Sequence, residues 1–219
     1  MQNIRDRDIK VNTNKLCNAC YVGDIEVVED ILSNKEVDIN GDYGGGTPLI
    51  LAVTGDHLAI GKRLLKHPGI ILGKGDSLGD TALHVACINN RVSIVELLCQ
   101  DSRCSPGVVN KKNILGETPL VRAVCSGYLD IVKELDMDIT DFSTKDKWGG
   151  TLIEMARERN HNELLEYLIE RDRIKKVDSL KVIAARNVAR YVENKADVEA
   201  LEIPRTVRQY LTRFVDDEE

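Results

Sequence analysis

Apolar residues along this chain fall in short blocks at helical spacing, and the blocks come in pairs. In one pair Leu83, Val85, Ala86 and Ile88 are followed by Ile94, Val95, Leu97 and Leu98, the i, i+3, i+4 pattern of a half-buried helix. The second block of each pair predicts helices over residues 58–65, 92–98, 129–135 and 163–169. Each pair is preceded by a polar octet of nearly constant form. The four octets are Asp42-Tyr-Gly-Gly-Gly-Thr-Pro-Leu49, Asp76-Ser-Leu-Gly-Asp-Thr-Ala-Leu83, Asn113-Ile-Leu-Gly-Glu-Thr-Pro-Leu120 and Asp146-Lys-Trp-Gly-Gly-Thr-Leu-Ile153. Their threonines, Thr47, Thr81, Thr118 and Thr151, are spaced 34, 37 and 33 apart. A fixed period in this range marks a stacked repeat.

Each part of the octet has a physical task. Asp or Asn opens a tight turn, and the glycine three residues on tolerates positive φ. Threonine can cap the first helix, and proline after it fits the first helical turn, where its missing N–H is not needed. Five positions after each threonine stands a small residue, Ala52, Ala86, Ala123 or Ala156, expected on the buried side. Upstream, residues 16–32 carry the same two-helix pattern, with Ala19 lying 33 before Ala52 and Asn14-Lys15 in place of Thr-Pro. That suits an atypical first unit with one face in water. The third octet arrives late because of extra residues around Ser105-Pro-Gly107, most simply a lengthened loop.

This pattern resembles the ankyrin repeat over roughly residues 8 to 170, in five registered units, and Thr81-Ala-Leu-His84 keeps the family's threonine and histidine. Ile50, Val121 and Glu154 stand where the other units would have that histidine, and Leu152 replaces a proline. The resemblance implies an all-α solenoid and a protein-binding surface. Partners of such stacks typically lie along the hairpin tips and first helices. By that register the tips are Tyr43 and Gly44, Ser77 and Leu78, Ile114 and Leu115, and Lys147 and Trp148. Exposed aromatic and large apolar residues in a row are candidate anchors. Tyr43, Leu78, Leu115 and Trp148 are therefore the expected client-binding residues, with Trp148, the sole tryptophan, and Tyr43 foremost.

Bulk properties narrow the function. A formal charge of −6 with dispersed basic residues argues against nucleic acid as the main partner. No apolar run reaches the roughly 18 residues that span a bilayer, and the start is no secretory signal, so an intracellular protein is expected. Cys20, Cys87 and Cys125 fall at or near one helix position of successive units, where cysteine serves as a small apolar residue. Cys17-x-x-Cys20 has no second pair of matching spacing and lies inside a repeat helix, so a structural role is expected rather than a metal or redox one. His84 is expected to hydrogen-bond between units. No nucleophile with a base partner, phosphate-cradling loop or zinc set is visible. The chain reads as a non-enzyme with no metal and no cofactor.

The register ends near Glu170, and Arg171-Asp-Arg-Ile-Lys-Lys176 reads as a helix end or linker before a second region, 171–219. There Ser179, as N-cap, would open a helix with Leu180, Ile183, Ala184 and Val188 along one stripe. Pro204 would start a last helix carrying Val207, Tyr210, Leu211 and Phe214. Ser179-Leu-x-x-x-Ala184-x-x-x-Val188 resembles the elongin BC box of the SOCS-box and VHL-box group, with alanine in place of the usual cysteine. Ser179-Leu-Lys-x-x-Ala-Ala-Arg186 looks especially like the box of the Fem family of ankyrin proteins. Ile203-Pro204-x-x-Val207-x-x-x-Leu211 is similar to the cullin box, nearer its cullin-2 form than its cullin-5 form. The resemblance implies elongin binding through Leu180, Ile183, Ala184 and Val188, and cullin binding through Ile203, Pro204, Val207 and Leu211. The implied function is a substrate-recognition adaptor of an elongin BC–cullin–RING ubiquitin ligase. The competing expectation is a plain ankyrin scaffold or inhibitor whose last helices only cap the stack.

Overall fold

The computed structural model describes residues 2–189. Eleven helices and no strands occur among them, arranged as five helix pairs and one short extra helix. The pairs are α1 (Gln2–Val22) with α2 (Ile25–Asn34), α3 (Pro48–Thr54) with α4 (Leu58–Leu65), α5 (Ala82–Ile88) with α6 (Val92–Cys99), α8 (Pro119–Ser126) with α9 (Leu129–Glu134), and α10 (Leu152–Glu158) with α11 (Asn162–Ala189). The extra helix, α7 (Pro106–Val109), precedes the fourth pair.

Local chemistry accounts for the starts. The side chains of Thr47, Thr81, Thr118 and Thr151 each accept the backbone N–H three residues on, and Pro48 and Pro119 occupy the first helical position. The turn inside each pair is equally regular. It passes through a left-handed residue at Gly23, Asp56, Asn90, Gly127 and Asn160, the residue types that tolerate that conformation. A helix pair is therefore dictated within its own thirty-odd residues.

Stacking then buries what one pair leaves open. First helices pack in succession, α1 on α3, α3 on α5, α5 on α8 and α8 on α10, while α2, α4, α6 and α9 form a second layer. Between the first helices Ala52, Ala86, Ala123 and Ala156 are wholly buried, and their small side chains permit the close approach. Leu16, Ile31, Leu64, Leu120, Ile131 and Leu135 fill the space between layers. Each such leucine or isoleucine removed to alanine would cost about 2–5 kcal/mol.

Three expectations are corrected. The insertion at Ser105-Pro-Gly107 is not a plain loop, because Pro106 at a first helical position starts the helix α7. Arg171–Lys176 is neither a helix end nor a linker: α11 runs through it unbroken to Ala189. Arg, Lys and Glu are good helix formers, no glycine or proline interrupts residues 162–189, and Arg173 pairs with Glu170 one turn back at 3.7 Å. For the same reason Ser179 lies inside α11 and is not an N-cap. The chain divides into two compact units between Leu165 and Glu166, within α11.

Candidate protein-binding site

The octets fold as hairpin tips. In the second, the Asp76 carboxylate Oδ1 accepts the N–H groups of Leu78 at 2.8 Å and Asp80 at 2.9 Å, and the backbone closes with Asp76 N–H to Asp80 C=O at 3.0 Å. The Asn113 side chain does the same for Leu115 and Glu117, and Asp146 for Trp148 and Gly150. Gly79 has φ of +75° and meets the next tip: a Cβ there would stand 3.2 Å from the Asn113 Cα. Only glycine satisfies both demands. Tyr43 and Gly46 form the shortest tip, bridged through Gly44 and Gly45.

Because Asx and glycine hold the turn from within, the residue between them is free to face solvent. Trp148 is 78% exposed, Ile114 67%, Leu78 53%, Tyr43 48% and Leu115 44%. All four expected client-binding residues thus lie at the surface on successive tips. Neighbouring tips are tied where the Ile114 N–H donates to the Leu78 carbonyl at 3.0 Å. Lys147 lies over the Trp148 ring, 4.3 Å from its centroid. Tyr43 also lines a groove of about 440 Å³ with Asn18, Tyr21, Thr54, Asp76 and Val85. Sequence reasoning named Ile114 as a tip residue but favoured its less exposed neighbour, and it missed Tyr21. Tyr21 comes from α1 of the atypical first unit, where no octet marks a tip; its aromatic side chain three residues after Asn18 was the available signal.

Beneath the tips lies a polar seam. His84 is fully buried; its Nδ1 accepts the Thr81 N–H at 3.2 Å, so Nε2 carries the hydrogen and donates to the Glu117 carbonyl of the next unit at 3.0 Å. Burial pushes the His84 pKa below its ordinary value, against the opposing pull of that carbonyl and of Asp80. The buried Asp80 carboxylate accepts from Asn113 Nδ2 at 2.7 Å and pairs with Arg122 at 3.3 Å, and Arg122 Nε stands 3.0 Å from Glu117. The expected inter-unit bond of His84 is present, while the Asp80–Arg122–Glu117 cluster was not foreseen.

Cys17 and Cys20 are buried free thiols, and burial pushes the Cys17 pKa up to about 12, so neither is a ready nucleophile. No set of three metal-ligating side chains occurs among the described residues, and no helix among them is long and apolar enough to cross a membrane. Leu180, Ile183, Ala184 and Val188 lie on α11. Ile203, Pro204, Val207 and Leu211 lie outside the described residues.

A family model for ankyrin repeats (three copies) matches residues 16–110 and 70–146, more than half of the chain. The chain belongs to the ankyrin-repeat family. The NF-kappa-B p105 subunits of Rattus norvegicus and Mus musculus are each 31% identical to it over 121 residues, 54% of this chain and 12% of theirs. The ankyrin repeat protein FPV031 of fowlpox virus is 32% identical over 155 residues, 66% of this chain and 43% of its own. The chain therefore spans less than half the length of these relatives. Ankyrin repeats are protein–protein interaction modules.

Proposed function

We propose that this ankyrin protein is a client-recognition adaptor of an elongin BC–cullin ubiquitin ligase. The observation that carries the reading is the order of parts in one chain. A row of exposed large side chains on the ankyrin tips is followed by a Ser-Leu-x-x-x-Ala-x-x-x-Val box on α11, and about twenty residues later by an Ile-Pro-x-x-Val-x-x-x-Leu segment. The adaptor carries out no bond-making chemistry. Holding client and ligase on one molecule raises the effective concentration of client lysines near the charged conjugating enzyme. The client would be held by Tyr43, Leu78, Leu115 and Trp148, elongin C by Leu180, Ile183, Ala184 and Val188, and a cullin, cullin-2 in preference to cullin-5, by Ile203, Pro204, Val207 and Leu211.

A second reading has its own observation. Because α11 passes through Ser179 without a break, the box continues the second helix of the last repeat. That continuity favours a plain ankyrin scaffold with an extended final helix. Co-expression with elongin B and elongin C, followed by affinity capture and size exclusion, separates the two. The adaptor reading expects a ternary complex that is lost in Leu180→Asp with the helical signal of the chain retained. Absence of a complex with folded wild-type chain would leave the scaffold reading.

A further inference from the structure

The first hairpin tip differs from the other three in what it leaves out. Gly44 stands where the later tips carry Leu78, Leu115 and Trp148. Its φ is +67°, and a Cβ there would meet no heavy atom within 4 Å, so the space over this tip is open. Beside that opening runs the groove of about 440 Å³, which three successive units build together. Asn18 and Tyr21 come from α1, Tyr43 and Gly44 from the first tip, Leu51 from α3, Asp76 from the second tip and Val85 from α5. The two tyrosines are half-exposed, while Leu51 and Val85 are half-buried. Among the described residues no lysine or arginine lines the groove. The Asp76 carboxylate uses Oδ1 for the Leu78 and Asp80 N–H groups, and its charge has no cation among the described residues to match it. A second acid, Asp42, is exposed next to Tyr43.

We propose that the groove between the first two tips is a pocket for an arginine side chain presented by an extended segment of the client. It rests on the reading of the tip face as the client-binding one and is independent of elongin and cullin. Two aromatic rings, an apolar floor and an uncompensated carboxylate are the parts that such a side chain needs. The tyrosine faces attract a cation through the ring quadrupole. Leu51 and Val85 take the methylene stem, which carries no charge and gains by leaving water. Asp76 supplies the opposite charge, in a chain whose overall charge of −6 also draws basic partners. Arginine suits the groove better than lysine. Its guanidinium is planar, weakly hydrated and stacks on aromatic rings, and its five donors can serve the Asp76 carboxylate and the Asn18 side-chain oxygen together. Gly44 matters for entry, because a leucine or tryptophan in its place would stand over the opening.

Peptide selection tests the pocket without a known client. Random dodecapeptides displayed on phage are selected on the immobilised full chain, and enriched sequences are synthesised with a fluorescent label for anisotropy titration. They should share an arginine, and citrulline in its place, which keeps the shape and loses the charge, should weaken binding about tenfold. Tyr21→Ala and Asp76→Asn should each weaken the arginine peptide to a similar extent and leave the citrulline peptide unchanged. Both variants are expected to fold, since Tyr21 is half-exposed and Asn113 shows that asparagine closes the same turn. Affinity unchanged by citrulline, by Tyr21→Ala or by Asp76→Asn would overturn the pocket, and lysine binding as tightly as arginine would overturn arginine as its occupant. Peptides with no shared arginine that lose affinity in Trp148→Ala would overturn the pocket and leave the client surface standing. Enrichment of no peptide would remove both.

Discussion

The hairpins at Asp76 and Asp146 have the same backbone. Each aspartate accepts the N–H groups two and four residues on, each passes through a left-handed glycine, and each ends in a threonine whose side chain caps the next helix. They differ in what lies beyond. Thr81 is wholly buried, and its capping partner His84 reaches across to Glu117, while Asp80 engages Asn113 and Arg122. At the last tip Thr151 is exposed, Gly150 stands where Asp80 would, and Glu154 closes the capping box from solvent, accepting the Thr151 N–H at 2.8 Å. Identical turn chemistry thus serves two settings. At the second octet the third helical residue, His84, donates to the next unit, and at the last octet a charged acceptor, Glu154, closes only its own turn.

Substitutions at equivalent positions should break this comparison unequally. The largest loss is expected from His84→Ala, which empties a buried site and leaves the Glu117 carbonyl without its donor, at a cost of about 2–4 kcal/mol. Urea unfolding at pH 7.5 measures it, and Glu154→Ala should lower the midpoint far less. Next comes Asp80→Ala, which strands Asn113 and half of the Arg122 pairing, about 1–3 kcal/mol by the same assay. A loss as small as that of Glu154→Ala would mean that the seam does not couple the units.

Acid should sharpen the contrast. The folded-state pKa of His84 is depressed by burial, so below the ordinary histidine value of about 6.5 the unfolded chain binds a proton that the folded chain refuses. Its contribution is complete above that pH and declines as pH falls through 6.5. Glu154 is held below the usual carboxylate range by the Thr151 N–H and O–H groups, so its contribution is complete above about 4.3 and lost on further acidification. Urea midpoints between pH 7.5 and 5.5 should therefore fall in the wild-type chain, and His84→Asn should flatten that limb while Glu154→Gln leaves it intact. The smallest effect on stability belongs to Trp148→Ala. With its ring in water, the change should stay within about 0.5 kcal/mol, yet client capture should be lost.

The fold was legible because its signals are local. Thr47, Pro48 and the glycine of each octet act within a few residues of themselves, and Ala52 and its equivalents repeat at the period of the stack. The exposed tip row was legible for the same reason, since an Asx turn leaves one side chain outward. What escaped reading depends on residues distant in sequence. Asp80 and Arg122 meet from successive units, and Arg103 finds its carbonyls at Leu65 and His67 of the preceding one. The run 171–176 misled because its charges suit a linker and an exposed helix equally well, and only the absence of glycine and proline through 189 separates the two.

The position of Trp148 also equips this protein with its own optical probe. As the only indole in the chain, it can be excited apart from the six tyrosines. It sits in water under the Lys147 ammonium on the last tip. A client that covers this tip would displace the solvent and the cation together. Occupancy could then be followed as a blue shift and brightening of emission, with no label attached to either partner.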